Sequence, residues 1–188
     1  MPTEGAVTVT TEDRAPQGGS ARGERDRLIA HLAGIGIDAP VVPYPEHSSI
    51  EEGKRLRGDL PGTFTKNLLL KDKKGRLFFV TAFEDTDIDL KSLHTRIGAR
   101  GRLGFAPAEL MAERLRVTPG TATPLGLLND TQNTITLVVD DALADAEQLN
   151  FHPMTHDESI GLSWRQFNAF LASCGREPVV VPLGVPPG

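Results

Sequence analysis

Two extended runs, Phe64 to Lys71 and Arg76 to Phe83, flank Asp72-Lys73-Lys74-Gly75, a spacing that reads as a β-hairpin. The second run is apolar on both faces, with Leu77, Phe79 and Phe83 on one and Phe78, Val80 and Ala82 on the other. Such a strand belongs in the middle of a sheet covered on both sides. The hairpin imposes antiparallel pairing on a chain whose other strands and helices alternate. The predicted fold is therefore α+β: a mixed, largely antiparallel sheet flanked by helices. No Gly-x-Gly-x-x-Gly follows a strand and no Gly-Lys-Ser/Thr phosphate loop occurs, which excludes a doubly wound nucleotide fold.

Around this hairpin the periodicity places a helix near Leu28, Ile29, Leu32 and Ile35, stopped by Gly34 and Gly36. Val41, Val42 and Tyr44 lie among Pro40, Pro43 and Pro45 and suit only an edge strand. Ser49 with Glu52, and Ser163 with Gln166, are capping-box patterns opening further helices. Asp89 caps a helix carrying Leu90, Leu93 and Ile97, and Pro107 is expected as the first residue of another. Thr134 to Val139, Gln148 to His152, Ser159 to Leu162 and Val179 to Val181 read as strands. One domain is expected over residues 23–183, with a loose Gly/Thr/Pro-rich tail at 1–22 and another at 184–188.

Fifty of the 188 residues are Leu, Ile, Val or Phe, enough for a packed core. No apolar run approaches the roughly 18 residues of a membrane span. The N-terminus lacks the apolar core of a secretion signal, and the single Cys174 can form no internal disulfide, so a reducing cytoplasm is expected. A cysteine-based zinc site is excluded, and His152 and His156 lack both helical spacing and a neighbouring zincin glutamate, so no metal is expected. The net charge is −5, yet basic groups concentrate in residues 54–76 and 91–116 while 129–160 carries seven acids and no Lys or Arg. Local field decides attraction, so an acidic chain can still present a phosphate-binding face; solvated helix faces and a hairpin tip are the simpler account.

Three features carry chemistry. Lys66 shares the apolar face of Phe64, Leu68 and Leu70 by strand alternation, where an ammonium either finds an anionic partner or ligand or snorkels to water. Val117-Thr118-Pro119-Gly120-Thr121-Ala122-Thr123-Pro124-Leu125-Gly126 fixes its backbone with two prolines and two glycines; it is either a stiff connection or a wall of backbone groups facing a pocket. His152 precedes Pro153, is held extended, and titrates near neutral pH if exposed.

In order and spacing, Thr65-Lys66-Asn67-Leu68, Gly120-Thr121-Ala122-Thr123-Pro124, Leu128-Asn129-Asp130-Thr131 and Asn150-Phe151-His152-Pro153 resemble the bacterial prolyl-tRNA synthetase editing domain in its free-standing, YbaK-like form. The resemblance covers residues 24–183 and is nearest the branch that clears alanine from proline tRNA. It implies a partly barrel-like sheet and hydrolysis of the ester joining an amino acid to the tRNA 3′ adenosine, with no cofactor. Lys66 would match the essential lysine, and Gly120, Thr121, Ala122, Thr123 and Pro124 the Gly-x-x-x-Pro loop that positions the aminoacyl group. Asn67, Asn129 and His152 match pocket positions. Lys71, Lys73, Lys74 and Arg76 become candidate contacts to tRNA phosphates. The implied partners are the acceptor end of a mischarged tRNA and prolyl-tRNA synthetase, with the protein itself a monomer. The acidic run His156-Asp157-Glu158-Ser159 departs from the alanine branch and leaves Ser, Thr or Cys open as the amino acid cleared, and a tRNA-holding module without turnover is the rival from another class.

Overall fold

The apolar strand predicted for the sheet's centre is β3, Leu77–Phe83, and every residue in it except Phe83 is buried. It is seen in a computed structural model that describes residues 19–47 and 49–184. The hairpin partner is β2, Thr63–Lys71, in register from Thr65 opposite Phe83 to Lys71 opposite Leu77. Asp72 builds the turn: its carboxylate accepts from the backbone N–H of Lys74, Arg76 and Arg100. These donors and the Arg76 side chain outweigh the cost of desolvation and hold the carboxyl far below its usual range.

The other strands are β1 Val41–Pro43, β4 Gly104–Phe105, β5 Ile135–Asp140, β6 Leu149–Phe151, β7 Glu158–Leu162 and β8 Val179–Val181. They form one sheet in the order β1-β7-β6-β2-β3-β5-β8, with β4 also on β2. Four pairings are antiparallel and three parallel, the parallel ones being β2 with β6, β3 with β5 and β5 with β8. Because β3 takes one edge of β2 along its length, β6 and β4 share the other. β6 pairs at Thr63 and Phe64, and β4 at Leu70 and Lys71.

The helices are α1 Ala21–Gly34, α2 Ile50–Arg57, α3 Leu90–Arg96, α4 Ala108–Leu115 and α5 Trp164–Ser173. Ser20, Ser49, Asp89 and Ser163 cap four of them with their side chains. Two helix starts differ from expectation, and several strand ends differ by one residue. α1 begins at Ala21, inside the expected tail, because the Ser20 hydroxyl accepts from Gly23 N–H. Pro107 stands outside α4 with extended ψ, one residue earlier than predicted. Residues 1–18 and 185–188 of the expected tails lie outside the described residues, while Gly184 bridges Ile88.

The sheet separates two cores. Leu69, Phe79, Leu137 and Val139 pack on one face with α1, α4, α5 and Leu125. Leu70, Phe78, Val80, Ala82 and Val138 pack on the other with α3. Alternation along β2 thus sends Thr65, Asn67 and Leu69 to the first face and Lys66, Leu68 and Leu70 to the second. Among the described residues no helix is long and apolar enough to cross a membrane.

Candidate active site

Where β2, β6 and the segment after β1 meet, a cavity of about 60 Å³ opens between Tyr44, His47, Thr65, Asn67, Asn150 and His152, with Phe64, Glu84, Phe151 and Ser159 completing it. A chain of hydrogen bonds fixes its floor. Thr81 Oγ1 donates to Asn67 Oδ1 (3.0 Å), Asn67 Nδ2 donates to Thr65 Oγ1 (3.3 Å), and Thr65 Oγ1 donates to the Asn150 carbonyl (3.2 Å). The Asn150 side chain is oriented in turn, its Nδ2 donating to Pro61 O at 2.7 Å and its Oδ1 accepting from Gln148 at 3.0 Å. Gly62 permits this approach. Its φ is +95°, and a Cβ there would sit 2.6 Å from Asn150 Nδ2.

The two imidazoles are tied alike. A carbonyl can only accept, so the 3.2 Å contact of His152 Nδ1 with Glu158 O and the 2.9 Å contact of His47 Nδ1 with Pro45 O place the proton on Nδ1 of each ring. In a neutral His152 ring Nε2 then carries a lone pair. Burial pushes the His152 pKa below its usual value, so the ring is neutral at pH 7. Tyr44 meets both rings edge-on, 5.0 Å from His47 and 5.3 Å from His152. Gly53 of α2 sits against this pair: a Cβ there would lie 2.7 Å from His47 Cδ2 and 3.0 Å from the Tyr44 hydroxyl. Behind Phe64, Arg57 and Glu84 form a bidentate pair, one contact at 2.7 Å. A second, more apolar cavity of about 160 Å³ shares the wall made by Phe64, Asn150 and Ser159.

Of the residues singled out from sequence, Asn67 and His152 line the 60 Å³ cavity. Lys66 is not in its lining. It stands on the opposite face of β2, opposite Ala82, where its charge joins that of the nearer Lys54 in holding the Asp85 carboxyl below the usual range. The bend at 120–124 is two 3₁₀ turns, Pro119–Thr121 and Pro124–Asn129, and Thr121, Ala122, Thr123 and Pro124 are buried while Gly120 is exposed. Many of its polar groups bond within the bend, as Thr118 N–H to Thr121 Oγ1 and Leu125 N–H to Thr123 Oγ1. Ala122 packs in the same core as Leu69, so the bend lies on Asn67's side of the sheet without entering the cavity lining. Asn129 is engaged elsewhere, donating to Leu115 O and accepting from Arg27. Lys73 and Lys74 are exposed at the hairpin tip, Lys71 is half-buried, and Arg76 is committed to Asp72 and Gly98 O. Among the described residues no three His, Cys, Asp or Glu gather as a metal would require.

Sequence reasoning missed Tyr44, His47, Arg57 and Glu84. Tyr44, the only tyrosine, was a signal, since it stood in a proline-limited segment with little else to pack. The pairing of Arg57 with Glu84, 27 residues apart, had none.

The chain matches the aminoacyl-tRNA editing domain across residues 44–170, which spans every cavity residue named above. It belongs to that family. Among relatives of this editing domain, the prolyl-tRNA synthetase associated domain-containing protein 1 of Bos taurus is 37% identical over 161 residues, covering 84% of this chain and 94% of that one. The prolyl-tRNA editing protein ProX of Acetoanaerobium sticklandii is 29% identical over 152 residues, covering 80% and 92%. A solved structure of a candidate trans-editing enzyme for prolyl tRNA synthetase superposes with a TM-score of 0.66 at 19% identity, covering 86% of this chain and 97% of that one. The mixed sheet flanked by helices is thus the fold of these trans-editing domains.

Proposed function

We propose that this editing domain is a trans-acting deacylase that hydrolyses the ester of a mischarged tRNA, with alanine on proline tRNA as its preferred substrate. The observation that carries the reading is the size and lining of the cavity on the Asn67 face. A void needs roughly 10–15 Å³ of such space to hold one water. About 60 Å³ is therefore space for roughly four to six waters, a chamber on the scale of a small aminoacyl side chain with its attacking water. Sorting substrates by the size such a chamber admits is the second sieve of editing.

The reaction adds water across the acyl carbon–oxygen bond, freeing the amino acid as its carboxylate, returning the 3′-terminal ribose hydroxyl to the tRNA and releasing one proton to solvent. An activated ester needs an oriented water and donors near the developing oxyanion more than a strong nucleophile. In this reading the lone pair on His152 Nε2 accepts a hydrogen bond from the attacking water, and the amides of Asn67 and Asn150 are the fixed polar groups that orient the ester. The family likeness suggests that Lys66 holds the 3′-terminal nucleotide from the other face of β2, while the bend at 120–124, which packs on Asn67's side of the sheet without lining the cavity, does not touch the aminoacyl group; Lys71, Lys73 and Lys74 face the tRNA phosphates. Prolyl-tRNA synthetase, whose error is cleared, is the implied protein partner in the cytoplasm.

A deacylation assay with proline tRNA carrying Ala, Ser, Thr, Cys or Pro tests this, with wild type beside Lys66→Ala. Alanine should be released fastest and proline spared, with release slowed at least tenfold in the variant. Faster release of Ser, Thr or Cys would reassign the substrate, full activity of Lys66→Ala would remove that residue's role, and no release from any tRNA would leave a binding module.

A further inference from the structure

Phe105 is 69% exposed, the most exposed of the large apolar residues among those described, and it stands on the two-residue edge strand β4. A single exposed apolar residue is ordinary on a protein surface, so it is the surroundings of this ring that carry the argument. β4 pairs with the end of β2, Gly104 opposite Lys71 and Phe105 opposite Leu70. The segment before it runs along the hairpin tip: Arg100 N–H donates to Asp72 at 2.9 Å, and a Cβ on Gly101 would lie 2.9 Å from Lys73 Cδ. Residues 71–76 and 100–105 together carry six cationic side chains against the single carboxylate of Asp72. That carboxylate is enclosed and spent on three backbone N–H groups and Arg76. Lys73, Lys74, Arg100 and Arg102 are exposed, and among the described residues none of them is ion-paired.

We infer that Phe105 is a stacking platform for an unpaired RNA base, with Lys73, Arg100 and Arg102 receiving the flanking phosphates. An exposed aromatic among unpaired cations is the recurring chemistry of single-strand binding: the ring takes the π-face of a base and the cations take the backbone. An apolar protein partner would be poorly matched to so concentrated a positive field. Directly opposed residues of an antiparallel pair share a face, so Phe105 lies on the face of Leu70 and Lys66. The platform rests on the reading of the protein as one that handles the end of a tRNA.

The test is fluorescence anisotropy with a short labelled single-stranded RNA, and the same RNA annealed as a blunt duplex, titrated with the full chain at several salt concentrations. Wild type should bind the single strand more tightly than the duplex. Phe105→Leu should weaken single-strand binding about tenfold and abolish that preference with an unchanged salt slope, while Phe105→Trp retains it. Arg102→Ala should weaken both forms and lower the salt slope by about one. Wild-type binding by Phe105→Leu, equal loss in Leu and Trp variants, or no preference for the single strand would overturn the platform. Ester hydrolysis assayed in parallel separates the two ideas: turnover with Phe105 irrelevant removes the platform alone, and stacking without turnover removes the deacylase alone.

Discussion

The guanidinium of Arg57 lies 3.7 Å from the centre of the Phe64 ring while it grips Glu84 with two nitrogens. Both side chains of the ion pair are about 15% exposed or less, so the pair is worth more than a surface one. It joins the end of α2 to the end of β3 and backs the ring that closes the cavity. Arg57→Leu should destabilise the protein by about 2 kcal/mol, since Glu84 is left half-desolvated and unpaired. Arg57→Lys should recover only part of that, because lysine cannot form the fork or the stack. Urea midpoints of the two variants check both statements.

Asp130 and Arg176 form the most enclosed ion pair among the described residues, at 2.7 Å with side chains 2% and 5% exposed. Burial disfavours the carboxylate, yet the bonds from Arg176, Thr134 and Ile135 N–H outweigh it and keep the carboxyl below its usual range. Asp72 is depressed as well. A native pKa below the unfolded value of about 4 means stability fully present above that pH and lost as pH falls toward the native value. Thermal melts from pH 7 to 3 should show a decline below about pH 4, shallower in Asp72→Asn. Asp130→Ala should cost roughly 3 kcal/mol or more at pH 7, because Arg176 is then buried without its anion.

For His152 the sign is the same and the window differs. Its native pKa lies below the unfolded value of about 6.5, so it is neutral throughout the physiological range and protonates only under more acidic conditions. Hydrolysis that uses its neutral ring should be flat through pH 7 and fall below pH 6.5, following the His152 titration seen by NMR. His152→Gln should remove that acidic limb along with most of the rate.

Gly53 lies inside α2, where glycine costs up to about 1 kcal/mol against alanine. Gly53→Ala should nevertheless impair hydrolysis at least tenfold, because the added methyl forces His47 and Tyr44 to move. The melting temperature should change by no more than a few degrees. The signature is a loss of rate without a loss of fold, read by comparing the assay with circular dichroism.

Local chemistry made much of this fold legible. Three helix starts were written in Ser49, Asp89 and Ser163, and the hairpin in its two apolar runs and turn, whereas the start capped by Ser20 lay inside the expected tail. What escaped depended on distant partners. The parallel pairing of β3 with β5 brings Phe79 beside Leu137 across 57 intervening residues and a bend, and no short-range pattern records it. The site followed the same division. Asn67 and His152 stood in recognisable motifs and meet at one cavity, whereas Tyr44, His47 and Glu84 joined them through tertiary contacts alone. Neighbouring letters also misled. Lys66 and Asn67 read as one motif, but a strand sends them to opposite faces.

That division of β2 makes the turn at Asp72 the index of the whole site. A one-residue slip of β2 against its partners would turn every one of its side chains to the other face. Asn67 would leave the cavity and a charged lysine would enter it, though neither had been touched. The carboxylate that gathers three amides at the far end of the hairpin therefore keeps time for chemistry that happens at the other.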